Sequence, residues 1–185
     1  LFREVPFGND GDFSKHAIEK RINSDLSNNY GNLIQRVCSF INKNCDSIVS
    51  NNFNLKNKED NNLIDLSIEK FKKYKFFLNN YEIDKAIKEI MELITNANIY
   101  VDKQAPWTLK NKDQNRMEEV LSLLVEIIRR SSLMLFPIMP KSVENVFEIL
   151  NLNTKEISFN FFDKIPLNKH QINNAYPIFP RIDYK

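Results

Sequence analysis

The chain has 185 residues, with 26 Lys+Arg against 24 Asp+Glu and a formal net charge of +2, so no broad field of either sign directs it to a polyanion or a polycation. Its 3 glycines, Gly8, Gly11 and Gly31, build neither a Gly-rich phosphate loop nor a Rossmann fingerprint, which argues against a self-contained nucleotide-binding enzyme. Cys38 and Cys45 are too few for a disulfide framework, His16 and His170 belong to no ligand cluster, and no apolar run approaches the roughly 18 residues of a membrane span.

These features predict a soluble cytoplasmic protein with reduced thiols, no metal site and no membrane contact. The N-terminus lacks the pattern of a signal peptide. The chain opens on Leu1 and not on Met, which is expected either of a processed chain or of a piece of something longer.

Residues 1–13 read as an extended piece followed by a tight turn, with Pro6 and the run Gly8-Asn9-Asp10-Gly11. Ser14 is placed to cap the first helix. From there Ile18, Ile22, Leu26, Tyr30, Leu33, Val37, Phe40 and Ile41 recur every three or four residues, one buried stripe with a bend or a close approach at Gly31. Residues 44–62 are rich in Asn, Asp, Ser and Lys and read as a loop. A second helix is predicted from Leu63 to Leu78. The third carries Ile83, Ile87, Ile90, Ile94, Ala97 and Val101 and stops near Gln104, because Pro106 disfavours helical geometry at the residue before it.

A fourth helix runs through Met117, Val120, Leu121, Leu124, Ile127, Ile128 and Leu135, with Pro137 and Pro140 ending it. A shorter fifth carries Val143, Val146, Phe147 and Leu150. The fold class is therefore all-α, a bundle of about five helices over residues 14–150. Residues 151–185, with Phe159, Phe161, Phe162 and three prolines, have no helical period. They are expected to form an extended tail that packs on something.

Enzymatic candidates are poor. No nucleophile, base and acid combine, and carboxylates such as Glu118 and Glu119 read as solvated helix faces, so no catalytic residue is assigned. Two places are more informative. At 100° per residue, Asn32 and Arg36 lie one turn apart beside the buried stripe, and Lys43 extends the strip. An amide and a guanidinium so placed suit the polar edges of an unpaired base, although the spacing alone fits two solvent-facing side chains better. Trp107, the only Trp, follows Pro106 at a helix end among Lys103, Lys110 and Lys112. An indole there is either a stacking platform for a nucleobase or a core residue closing the bundle.

At these residues the chain resembles a known family. Ala105-Pro106-Trp107, preceded by Tyr100-Val101-Asp102-Lys103-Gln104, is similar to the helix-end motif in the anticodon-binding domain of bacterial, class I methionyl-tRNA synthetases. The run from Arg3 to Ser14 resembles the segment after the signature Lys-Ser loop of those enzymes. Asn32 and Arg36, in an Asn-Leu-x-x-Arg context, match the family's polar pair. The end, Pro177-Ile178-Phe179-Pro180-Arg181-Ile182, is similar to that of its short forms. Residues 44–62 and much of the tail match nothing specific.

The resemblance implies a bundle that holds the CAU anticodon of a methionine tRNA. Trp107 would stack on the first base, Asn32 and Arg36 would bond base edges or nearby backbone, Pro106 would set the angle of the Trp, and Lys43, Lys103 and Lys110 would touch backbone. The parent would be a methionine–tRNA ligase that uses ATP with Mg in a catalytic domain lacking here, so this piece would bind tRNA and be inactive alone. Residues 1–13 would be the outgoing segment of that catalytic region, and residues 151–185 would pack back toward it. The bundle of another class I synthetase, or a helical protein-interaction module, are the competing readings.

Overall fold

Ser14 caps the first helix by accepting a hydrogen bond from the Ala17 amide at 3.4 Å in the computed structural model, which describes residues 2, 3, 5, 8, 14–50, 52, 53, 57–164 and 169–182. Most of the turn read at residues 6–12 lies outside the described residues. Helix α1 (Lys15–Arg21) continues through a widely wound π-helical stretch (Ile22–Gly31) into α2 (Asn32–Asn44). The wide winding shows at its exit, where the Asn32 amide reaches back five residues to the Ser27 carbonyl. The three pieces form the one long helix that the apolar spacing predicts. Along α2 the buried residues are Leu33, Ile34, Val37, Cys38 and Ile41, and Phe40, counted in the stripe by its spacing, is only half-buried at its edge.

Residues 44–62 are less featureless than their composition suggests. Ile48–Val49 forms a short strand, β1, and Asn57 caps α3 by accepting from the Glu59 amide at 2.9 Å. Helix α3 therefore spans Lys58–Asn79 and starts five residues earlier than the apolar period indicates, because a polar cap and an acidic first turn begin it. Helix α4 (Ile83–Gln104) and the one-turn α5 (Pro106–Leu109) follow, then α6 (Gln114–Leu135), capped by Asp113. Pro140 does not end α6. It occupies the first turn of α7 (Pro140–Ile149), where its missing amide proton costs nothing.

Helix α6 is the centre. The apolar period marks one stripe on it, yet every residue from Val120 to Leu135 is buried, including Glu126, Arg129 and Arg130. Their burial corrects the reading of its carboxylates as solvated. The Glu126 carboxylate accepts from Nε of Arg129 and Nε of Arg130, at 2.7 and 2.6 Å. Two cations share one anion, so the remaining donors need neutral acceptors. Arg129 gives them to the carbonyls of Phe161 and Phe162, at 2.6 and 2.9 Å, and Arg130 to the Ser67 hydroxyl of α3, at 2.7 Å.

The described part of the tail lies on the bundle. After two 3₁₀ turns, Thr154–Glu156 and Phe159–Phe161, the fully buried Phe162 stacks on Phe71 with centroids 3.8 Å apart, and the Arg130 guanidinium lies 5.0 Å from its ring centroid. Burying such a ring contributes about 1.5–3 kcal/mol. Strand β2 (His170–Gln171) pairs antiparallel with β1. From there the chain runs back along the long helix. The Ala175 amide donates to Asn42, Phe179 packs on Tyr30 at 5.8 Å, and Asn23 exchanges two hydrogen bonds with the Ile182 backbone, at 2.9 and 2.8 Å. Burial pushes the Cys38 thiol up to about 12 and the Cys45 thiol up to about 11, so both stay protonated near neutrality.

Two stability measurements check this account. Glu126→Gln leaves two buried guanidiniums without an anion and should cost about 3–5 kcal/mol in chemical denaturation, whereas a loss below about 1 kcal/mol would show that the cluster carries little. A β-carbon at Gly31 would stand 2.9 Å from the Leu26 carbonyl oxygen and 3.4 Å from the Phe179 ring. Gly31→Ala should therefore lower the melting temperature, although alanine is the better helix former, and an unchanged value would refute the tight seat of Phe179.

Candidate functional site

Three side-chain contacts set the site's register. Asn29 donates to Thr95 at 3.0 Å, Asn32 to Asn98 at 3.4 Å, and Arg36 to Asp102 at 2.5 Å, each pair 66 residues apart in sequence. A constant separation means that the long helix and α4 run parallel, side by side. Asn98 also donates to the carbonyl of Asn29, at 3.1 Å, inside the widely wound stretch, where the helix's own bonding pattern is disturbed. These amides tie the long helix to α4 one turn before Arg36.

The far end of α4 is held by a second ion pair. Arg116, near the start of α6, binds the Asp60 carboxylate with both terminal nitrogens, at 2.5 and 2.7 Å, and donates to Gln104 at 2.8 Å. The bidentate bond to Asp60 pushes the guanidinium's pKa still higher, so its charge is permanent. Tyr100 donates to the same carboxylate at 2.7 Å, and burial together with that anion raises its phenol. Arg116 also bonds Glu119 at 3.2 Å, so that carboxylate is paired within the fold.

Just past this anchor, Ala105 adopts a left-handed conformation, φ 44° and ψ 63°, while its amide still bonds the Val101 carbonyl at 2.9 Å. The following proline bars the helical alternative. The Ala105 carbonyl then accepts from the Thr108 amide and hydroxyl, both at 2.8 Å, which closes α5. Pro106 turns inward and is buried, and Trp107 turns outward with 47% of its surface exposed. That exposure overturns the reading of the indole as a core residue.

The Arg36 guanidinium lies 5.6 Å from the Trp107 ring centroid. Arg36, Val37, Phe40, Val101, Pro106, Trp107 and Leu121 enclose a hollow of about 140 Å³, apolar at its floor and charged at its lip. The parallel register brings Arg36, Pro106 and Trp107 together, while Asn32 lies one turn away on the same helix, bonded to Asn98 and outside this hollow. Asp102 was not singled out by its sequence position. Its mostly exposed carboxylate neutralises part of Arg36, so an anion approaching the guanidinium must compete with it. Nothing local in the sequence links residues 36 and 102.

The lysines separate. Lys43 is exposed on α2, and Lys110 donates to Asn44 at 2.8 Å, which holds the α5–α6 connection beside the end of α2. Lys103 points the other way, to Glu59 of α3 at 2.5 Å, away from Arg36. Among the described residues no group of His, Cys, Asp and Glu could hold a metal ion, and no helix is long and apolar enough to cross a membrane.

Comparison with known proteins gives consistent matches. A family profile described as the anticodon binding domain of methionyl tRNA ligase matches residues 52–169, and one for class I (M) tRNA synthetases matches residues 1–38. The chain is 40% identical over 164 residues to the methionine–tRNA ligase of Rickettsia conorii, covering 86% of this chain and 32% of that protein. It is 34% identical over 190 residues to that of Bacillus subtilis, covering 99% of this chain and 28% of the relative. The crystal structure of the free Mycobacterium tuberculosis methionyl-tRNA synthetase superposes with a TM-score of 0.93 at 30% identity, over 100% of this chain and 38% of that one. A second structure of that enzyme, bound by methionyl-adenylate, gives 0.92 over 97% of this chain and 36% of that one. The chain thus spans about a third of the length of such relatives.

The left-handed Ala105 offers a direct check of the site's backbone. A non-glycine residue there carries about 1–2 kcal/mol of strain. Ala105→Gly removes it and should raise the melting temperature, with the gain reduced by the freer unfolded chain. A lower melting temperature would mean that the backbone is not strained.

Proposed function

We propose that this chain, which belongs to the family of anticodon-binding domains of methionyl-tRNA ligases, reads a CAU anticodon loop with the face shared by Asn32, Arg36 and Trp107. The observation that carries the reading is the half-exposed indole with a guanidinium beside it, mounted on two parallel helices in fixed register. Trp107 stacks on the first base, cytosine, and such stacking is worth about 1–3 kcal/mol. Cytosine offers two acceptors, O2 and N3, next to a donor amine, so the Arg36 guanidinium favours it over uracil, which has N3–H in place of an acceptor. Asn32 bonds a base edge or the nearby backbone, and Pro106, buried beneath, holds the indole at its angle.

Lys43 and Lys110 lie on the same flank and suit the phosphates that lead in and out. With so little net charge, binding depends on these placed contacts and should have a shallow salt dependence. The parent protein then joins methionine to its tRNA with ATP and Mg in a catalytic half, in the cytoplasm. Residues 1–13 lead out of the catalytic half, residues 14–150 form the reading domain, and the outer face of residues 151–185 turns toward that half.

Titration with RNA hairpins tests the assignment. A CAU loop should quench Trp107 fluorescence, and a GAU loop should bind about tenfold more weakly at the same salt. Trp107→Ala should abolish most of that preference and leave helicity intact, and Arg36→Ala should weaken the CAU complex with little change in melting temperature. Equal affinity for the two loops would sink the methionine reading.

A further inference from the structure

The surface strip of α2 has two walls. Trp107 stands on one side of it, and the returning tail, Pro177 to Phe179, stands on the other. Between the tail and α2 lies a groove of about 380 Å³ lined by Ser27, Asn28, Gly31, Asn32 and Gln35. That volume accommodates a nucleobase. Asn32 belongs to this groove and stands one turn from Arg36, so the groove and the Trp107 hollow are neighbours along one helix face.

Gln35 distinguishes this groove from a simple packing seam. Its Nε2 donates to the Ser39 hydroxyl at 2.7 Å, while its Oε1 is shut off from water and accepts from no described residue. Turning the amide over does not help, because the Ser39 hydroxyl serves only one of its two atoms. An acceptor left in that state is costly, and a donor entering the groove removes the cost once the side chain swings toward it.

We infer that this groove is a second base-reading site, in which the Gln35 amide takes the exocyclic amine of the middle anticodon base, adenine. The inference rests on the CAU reading above. Of the three bases only cytosine and adenine carry an exocyclic amine, and the cytosine is engaged by Trp107. Gln35 Oε1 accepts from N6, and the second Nε2 proton, the one not given to Ser39, goes to a ring nitrogen. This is the paired donor and acceptor that an amide offers to adenine. The Pro177–Phe179 wall, seated against Gly31 and Tyr30, supplies an apolar side for the ring.

The test uses this chain and three hairpins: the CAU loop, the same loop with the middle adenine replaced by purine, which lacks the amine, and the GAU loop. Wild-type protein should lose about tenfold in affinity when the amine is removed. Gln35→Met should bind the CAU loop about as weakly as wild type binds the purine loop, should not sense the amine, and should keep its preference for CAU over GAU. Gln35→Glu keeps an acceptor and should still sense the amine, which covers the case of a poorly folded Met variant. A wild-type protein indifferent to the amine, or a Met variant as sensitive as wild type, overturns the role of Gln35 and leaves the first-base reading standing. Loss of the CAU preference over GAU in wild type overturns the anticodon reading itself, and this inference with it.

Discussion

One buried carboxylate organises the molecule. Glu126 sits in the middle of the all-round buried α6 and holds two guanidiniums that would otherwise be intolerable there. Since a single anion cannot satisfy both, their spare donors reach outward to α3 through Ser67 and to the tail through the carbonyls of residues 161 and 162. The excess charge thus becomes a set of directional bonds. A purely apolar α6 would bury as well but would specify neither the rotation of α3 nor the point at which the tail crosses.

The second constraint is the parallel register of the long helix and α4. It sets Arg36 beside Asp102, and so beside the Trp107 that follows three residues after α4 ends. Two devices hold it. Asn98 adds a second hydrogen bond to the Asn29 carbonyl, which also accepts from the Asn32 amide, and Arg116 pins the end of α4 to α3. The half-exposed indole is presented by a backbone fixed on both sides, which would lower the ordering cost for any ring that stacks on it. The tail adds the opposite wall, seated where a glycine permits close approach.

Much of this was legible residue by residue. The long helix, the cap at Ser14 and the stop before Pro106 follow from local chemistry and are found in place, but the apolar stripe is buried only from Tyr30 onward, with Ile18, Ile22 and Leu26 half-buried. The start of α3 was misjudged because its first turn is polar and announces itself by the Asn57 cap, not by periodicity. The reading of α6 found one stripe where there are buried residues on every side, since Glu126, Arg129 and Arg130 look solvated to any rule that counts charges. Trp107 was open between core and surface, because a proline at a helix end fits either.

The sequence by itself determined the main helices, most of their ends, and the candidate pair Asn32 and Arg36 with Trp107. Those depend on contacts within one helical turn, or on single residues with fixed backbone demands. Only the tertiary structure decided that Trp107 faces out, that Asp102 shares Arg36, that Lys103 turns to α3, and that the tail makes a groove with Gln35. Each joins residues dozens of positions apart, and their meeting depends on interhelical register. Packing and buried charge set that register, and no local pattern encodes it.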